Sequence, residues 1–128
     1  MRDIINRFLE KIFFMHPPLK IVHDKSLIYW EESEANTVEF GEIGDKIVDD
    51  FDIMNDVTKT NIFTLIEEAA VESGDDPDSL FGAYIYTGLI EGIVHRSFKF
   101  GIWEKIRPSL GAKSVDYADG WIDFTNGK

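Results

Sequence analysis

Apolar residues recur every three or four positions at the start of the chain, which is the spacing of one helical face. Polar and charged residues separate them, so residues 2–15 are predicted to form an amphipathic helix that ends before Pro17 and Pro18. The apolar positions of this face are Ile4, Ile5, Phe8, Leu9, Ile12 and Phe13. Residues 19–30 are predicted to be helical, with a short strand at residues 27–30 as the alternative.

Two more helices are predicted before residue 76. The first spans about residues 40–55, and its start is weakened by Gly41 and Gly44. Its apolar face holds Ile43, Ile47, Val48, Phe51 and Met54. The second begins near Thr58 and stops at residues 73–76, where Gly74 is well placed to end a helix. Residues 31–38 are polar and are predicted to form the loop that precedes this pair.

The next predicted helix is the most apolar part of the sequence. It begins at Asp76 and Pro77, a capping residue followed by proline at the first helical position, and runs to about Val94. Because it is apolar nearly all round, we expect it to be the central and most buried element. Its glycines would let neighbouring helices approach closely; they are Gly82, Gly88 and Gly92.

Two short helices complete the chain, over residues 102–106 and 114–124, with a turn at Leu110 and Gly111 between them. With 128 residues, the protein fits one domain, residues 1–128. The predicted fold is therefore mainly all-α, a compact bundle of about six or seven helices joined by short loops. A short strand pair near residues 27–40 is the alternative for that segment.

Charge adds the most to this picture. The formal net charge is −11, and residues 31–78 hold 16 acidic and two basic residues, whereas the rest of the chain is net +3. This balance argues against binding to nucleic acid or to an anionic membrane. The chain contains no cysteine, no apolar run of bilayer-spanning length, and Asp3 and Glu10 interrupt any signal-peptide pattern. We therefore expect a cytoplasmic protein.

The acidic segment supplies the candidate binding residues. Asp45, Asp49, Asp52 and Asp56 follow each other at spacings of four, three and four, so a helix would place them in one stripe. Such a stripe is either a solubilising face or a docking surface for a basic partner. Trp30 at its edge, with Phe40 nearby, would provide the apolar anchors. The predicted partner-binding residues are Trp30, Glu31, Glu32, Glu34, Glu39, Glu42, Asp45, Asp49, Asp52 and Asp56.

No motif for catalysis or for a cofactor is found in the sequence. Nucleophile motifs, phosphate-binding loops and the D-x-[DN]-x-[DN]-G calcium loop are all absent. Glu91 and His95 would share a helix face, and Glu67 and Glu68 of the preceding helix would be the further ligands of a metal site, but the spacing of di-metal bundles is missing. A half-buried carboxylate at Glu91, satisfied by a neighbour, is the simpler interpretation. We expect no catalytic residue, no metal and no cofactor.

Four short segments carry a resemblance, namely TVEFGEIG (37–44), IFTLIEE (62–68), GLIEG (88–92) and LGAKS (110–114). Their order resembles that of small helical bacterial proteins without an assigned activity, some of them encoded beside toxin genes, over about residues 19–124. In size, acidity and lack of catalytic motifs, the chain is also similar to the immunity proteins of contact-dependent and other polymorphic toxin systems.

What the resemblance implies is a non-enzymatic inhibitor whose acidic surface covers the basic face of a toxin domain, for instance a nuclease. It brings no catalytic residues to this chain. The alternative is a helical adaptor or self-associating module of unknown role, and the sequence leaves monomer and homodimer equally open.

Overall fold

The computed structural model describes residues 2–31, 36–73 and 79–126. In these ranges the secondary structure is entirely helical, with seven helices in chain order, so the expected all-α bundle is confirmed. The first four are α1 (Arg2–Met15), α2 (Pro18–Trp30), α3 (Thr37–Asp49) and α4 (Asp56–Glu72). The others are α5 (residues 80–99), α6 (Trp103–Ile106), which continues into a 3-10 turn at Arg107–Ser109, and α7 (Ala112–Asn126).

Helix α5 lies at the centre of the bundle, as its all-round apolar pattern predicted. Ile85, Leu89, Ile90, Ile93 and Val94 have no exposed surface. The middle of α5, Ala83–Ile90, is a π-helix, and regular α-helix precedes and follows it (Leu80–Gly82 and Glu91–Lys99). In a π-helix the N–H groups bond to carbonyls five residues back, a rare geometry that is often found at functional sites. The predicted start at Asp76 and Pro77 lies outside the described residues.

Helices α3 and α5 pack backbone to backbone through glycines from both helices. A Cβ atom at Gly88 would lie 2.8 Å from the Cβ of Phe40, and one at Gly92 would lie 2.8 Å from the carbonyl oxygen of Gly41. At Gly44 the same atom would lie 2.8 Å from the Leu89 oxygen. Gly44, one of the two glycines that seemed to weaken α3, is therefore required by the close packing against α5, whereas a Cβ atom at Gly41 would make only an ordinary contact at 3.6 Å. The close approach expected at Gly88 and Gly92 is confirmed.

The predicted bounds of α3, residues 40–55, were wrong at both ends. The helix begins at Thr37 because the Asn36 side chain accepts from the N–H groups of Val38 and Glu39, while the Glu39 carboxylate accepts from the Asn36 N–H at 2.7 Å. It ends at Asp49 because residues 50–54 form turns that bury Phe51 and Met54. A new cap at Asn55 then starts α4.

The segment that was ambiguous in sequence is helical wherever it is described. Residues 27–30 form the last turn of α2, which ends at Glu31 in a left-handed conformation (φ 56°) whose N–H bonds to the carbonyls of Leu27 and Ile28. Residues 37–40 form the first turn of α3. The alternative strand pair was therefore wrong for these residues. None of the helices in the described ranges is both long and apolar enough to cross a bilayer.

Candidate partner-binding groove

An open groove of about 370 Å³ runs between α3 and α5. Its floor is helix backbone, exposed because glycines from both helices bring the two axes close together. Helix α3 contributes Glu42 and Asp45, α5 contributes Glu91 and His95, and α7 contributes Trp121. We name these five residues the acidic groove.

Helical spacing explains why these side chains meet. On α3, Val38, Glu42 and Asp45 follow each other at spacings of four and three, so they line one face. On α5, Glu91 and His95 are four residues apart on the face opposite. Glu91 begins the regular turns immediately after the π-helical segment, so the π-helix sets the rotation at which these two residues face α3.

Burial leaves two groove carboxylates poorly solvated. Desolvation raises the pKa of Asp45, and this effect outweighs the lowering by the nearby Arg96 guanidinium. Desolvation also raises the pKa of Glu91, although the Tyr117 hydroxyl donates to it at 2.5 Å. Burial and this neighbouring carboxylate raise the pKa of Tyr117 to about 12.

Within the described residues, no Lys or Arg side chain forms an ion pair with Glu42, Asp45 or Glu91. Partly desolvated carboxylates that lack a cation provide a site for a positively charged group. Trp121, which is half-buried beside them, adds an aromatic surface that a cation can approach.

Asp49 and Asp52 of the predicted stripe, and Asp50 between them, are paired with bases of the same chain. Arg96 donates twice to Asp49, at 2.9 and 2.8 Å, and Lys105 pairs with Asp52. Asp50, which is buried, contacts His16 at 2.8 Å and Lys46 at 3.2 Å. These acids connect α3 and the turn after it to α5, α6 and the α1–α2 junction, so they hold the fold together and are less available to a partner.

The predicted stripe is therefore not one continuous surface. Asp45 and Asp49 lie on α3, but Asp52 lies in the turn after it and Asp56 opens α4. The stripe was wrong because a turn, and not a helix, follows Asp49.

The remaining predicted residues fall into three groups. Glu39 and Phe40 have no exposed surface, because Glu39 caps α3 and accepts from Ser26 while Phe40 packs against Phe8 and Tyr84, so neither can meet a partner directly. Trp30, which is 48% exposed, and Glu31 are accessible at the end of α2. Glu32 and Glu34 lie outside the described residues.

Two residues at the groove were missed in the sequence: Trp121, which lines it, and Tyr117, which donates to Glu91. They belong to α7, and nothing in the spacing of that segment indicated that it packs beside α3 and α5. Glu91 had been identified as a half-buried carboxylate satisfied by a neighbour, and the neighbour is the Tyr117 hydroxyl rather than His95 or Arg96.

The groove combines carboxylates with an aromatic ring, a set of side chains suited to holding a positively charged group. In the part of the chain that the structure describes, no group of three or more His, Asp or Glu side chains is arranged to hold a metal ion. His95 is exposed beside the carboxylates. Comparison of the chain with protein families, curated proteins and solved structures finds no match.

Proposed function

We propose that this chain is a non-catalytic protein-binding domain that receives a basic segment of a partner protein in the acidic groove. The observation that carries the proposal is the set of three carboxylates, Glu42, Asp45 and Glu91, which face one concave surface and form no ion pair with Lys or Arg in the described part of the chain. Asp49, Asp50 and Asp52 are paired with bases of the same chain, so they are less available to a partner.

An arginine side chain fits this groove best. Its planar guanidinium donates in two directions at once and is weakly hydrated, so it can bridge carboxylates from α3 and α5 while stacking on Trp121. A hydrogen bond between charged groups contributes about 1.5–3 kcal/mol, and an exposed cation–π contact about 0.5–1 kcal/mol. A few such contacts give specific binding without a large interface.

More specifically, we propose that the partner is a toxin domain and that this chain inhibits it. A net charge of −11 would accelerate association with a basic nuclease face, and the groove would hold an arginine that the toxin needs for its substrate. The resemblance in size and acidity to immunity proteins supports this choice of partner.

The groove itself is tested with a short arginine-rich peptide of about ten residues and isothermal titration calorimetry. The triple variant Glu42→Gln, Asp45→Asn, Glu91→Gln should weaken binding about tenfold or more, because it removes every carboxylate of the groove. The matched control Glu10→Gln, Glu68→Gln, Glu72→Gln changes net charge equally at exposed positions elsewhere and should leave affinity within about twofold. If both variants weaken binding equally, net charge alone accounts for the attraction, and the groove is not the binding site.

The choice of partner is tested by co-expression with the product of the adjacent gene, followed by pull-down. A stable complex with a toxin domain, lost in the groove variant and kept in the control, would support the inhibitor. If the adjacent product is not a toxin and does not bind, the adaptor alternative becomes the better description.

A further inference from the structure

Helix α7 contributes fewer fully buried apolar side chains to the core than the main helices of the bundle do. In the described part of this helix, Ala118 is the single fully buried apolar side chain. Val115, Tyr117, Trp121 and Ile122 are only partly buried, and Phe124 is 80% exposed. By contrast, each of α1, α3, α4 and α5 buries at least four apolar side chains. Most of the fully buried apolar side chains therefore belong to those four helices.

Polar contacts replace the missing apolar ones, and the strongest is at the N-terminus of α7. The Glu67 carboxylate, which comes from α4, accepts hydrogen bonds from the backbone N–H groups of Lys113 and Ser114 at 2.8 and 2.9 Å. It also accepts from the Ser114 hydroxyl at 2.9 Å. The capping group that a helix usually carries in its own sequence is thus supplied by another helix, so the cap exists only while α7 is docked.

Gly111 makes room for this cap. A Cβ atom at Gly111 would lie 2.5 Å from the Glu67 side chain, so the carboxylate occupies the space that any other residue would fill. Leu110, just before it, is extended and buried. The chain therefore changes direction at residues 110–111, next to an anchored side chain, which is the arrangement of a hinge.

The second tether joins α7 to the groove. Tyr117 donates to Glu91 and its ring packs against Tyr86 at a centroid distance of 4.8 Å. Trp121, one turn further along, lines the groove itself. Docking of α7 thus determines both whether Trp121 faces the groove and whether Glu91 has a donor.

We infer that α7 is a lid that swings away from α4 and α5 about residues 110–111 while the other six helices stay folded. Opening withdraws Trp121 from the groove and frees Glu91 from Tyr117, so it changes the groove from an aromatic-walled cleft to an open acidic face. That consequence for binding rests on the proposed function, whereas the opening itself does not.

Hydrogen exchange of the full chain, read by mass spectrometry without any partner, tests the opening. In the unmodified protein, peptides from α7 should exchange faster than peptides from α3 and α5. An undocked helix of 15 residues that has lost its cap is marginal in water, so its amide hydrogen bonds open, and this local opening needs less free energy than global unfolding. Glu67→Ala should accelerate exchange in α7 by about a further tenfold. The exchange rates of α3 and α5 should change by less than about twofold. Tyr117→Phe, which keeps the ring, should act in the same direction by a smaller factor.

Glu68→Ala is the matched control, because Glu68 is the exposed neighbour of Glu67 on α4 and lines a different surface beside α1. It should leave exchange in α7 unchanged. If Glu67→Ala instead accelerates α3, α5 and α7 in parallel, or if α7 in the unmodified chain exchanges as slowly as α5, α7 opens only with the whole fold and the lid is refuted. Hydrogen exchange does not measure peptide binding. Refuting the lid therefore leaves the proposed binding site open, and refuting the binding site leaves the lid open.

Discussion

At the scale of single residues, space and solvation decide what each side chain can do. Glu39, Asp45 and Asp49 all lie on α3, yet one caps the helix, one faces the groove and one is held by Arg96. These different roles follow from burial and from neighbours distant in sequence. Charge type alone therefore says little about which acids are free to bind.

The glycine contacts between α3 and α5 give a prediction at this scale. Gly88→Ala should destabilise the fold by ~2 kcal/mol or more, because its Cβ would meet the Phe40 Cβ at 2.8 Å and the Thr37 oxygen at 2.9 Å. Gly120→Ala is the control, since it lies on α7 with nothing within 4 Å, and should be neutral or stabilise by up to about 1 kcal/mol. Urea unfolding measures both. A Gly88→Ala chain as stable as the parent would mean that the backbones are not in close contact.

At the scale of elements, periodicity predicted the helices well and their ends less well. The apolar face of α1 and the buried position of α5 depend on local sequence and are confirmed, although α5 runs to Lys99, past the predicted end near Val94. The end of α3 at Asp49 depends on Phe51 and Met54 being drawn into the core, and the docking of α7 depends on Glu67, which is 46 residues from Lys113. Spacing within one helix contains no information about contacts at that separation, so the groove was only half predicted.

The tether between α7 and α5 gives a pH prediction. The pKa of Tyr117 is raised from 10 to about 12 in the fold, so the folded protein keeps this proton when the unfolded chain has lost it. The stabilisation that the protonated Tyr117 hydroxyl gives to the fold is fully present below pH ~10 and is lost as pH rises toward 12. We expect the free energy of unfolding to fall in this window, and to fall less in Tyr117→Phe. Chemical denaturation at pH 9 to 12 measures it, and indistinguishable slopes for the two proteins would remove Tyr117 as the cause.

At the scale of the whole molecule, excess negative charge is distributed unequally. Some acids are neutralised where they link helices, as between Asp49 and Arg96 or Asp52 and Lys105. The remainder that faces the groove opposes folding, because like charges three residues apart on α3 repel and two of the three carboxylates are partly desolvated. A fold that keeps such an arrangement gives up stability at the place where we propose that it binds, the trade-off expected of a functional site.

This trade-off predicts that the groove variant is more stable than the parent. Glu42→Gln, Asp45→Asn, Glu91→Gln should raise the free energy of unfolding at pH 7 by ~0.5 kcal/mol or more, a figure kept small because these groups are half exposed to solvent. The exposed control Glu10→Gln, Glu68→Gln, Glu72→Gln should change stability less, although it removes the same charge.

The pKa values of Asp45 and Glu91 are raised in the fold, so the folded protein takes up protons before the unfolded chain does, and the parent gains stability as pH falls. The advantage of the variant should therefore shrink as pH falls from 7 toward 4, which denaturant titrations across that range would detect. An equal gain from both variants would trace the effect to net charge, and a loss of stability in the groove variant would mean that these carboxylates support the fold.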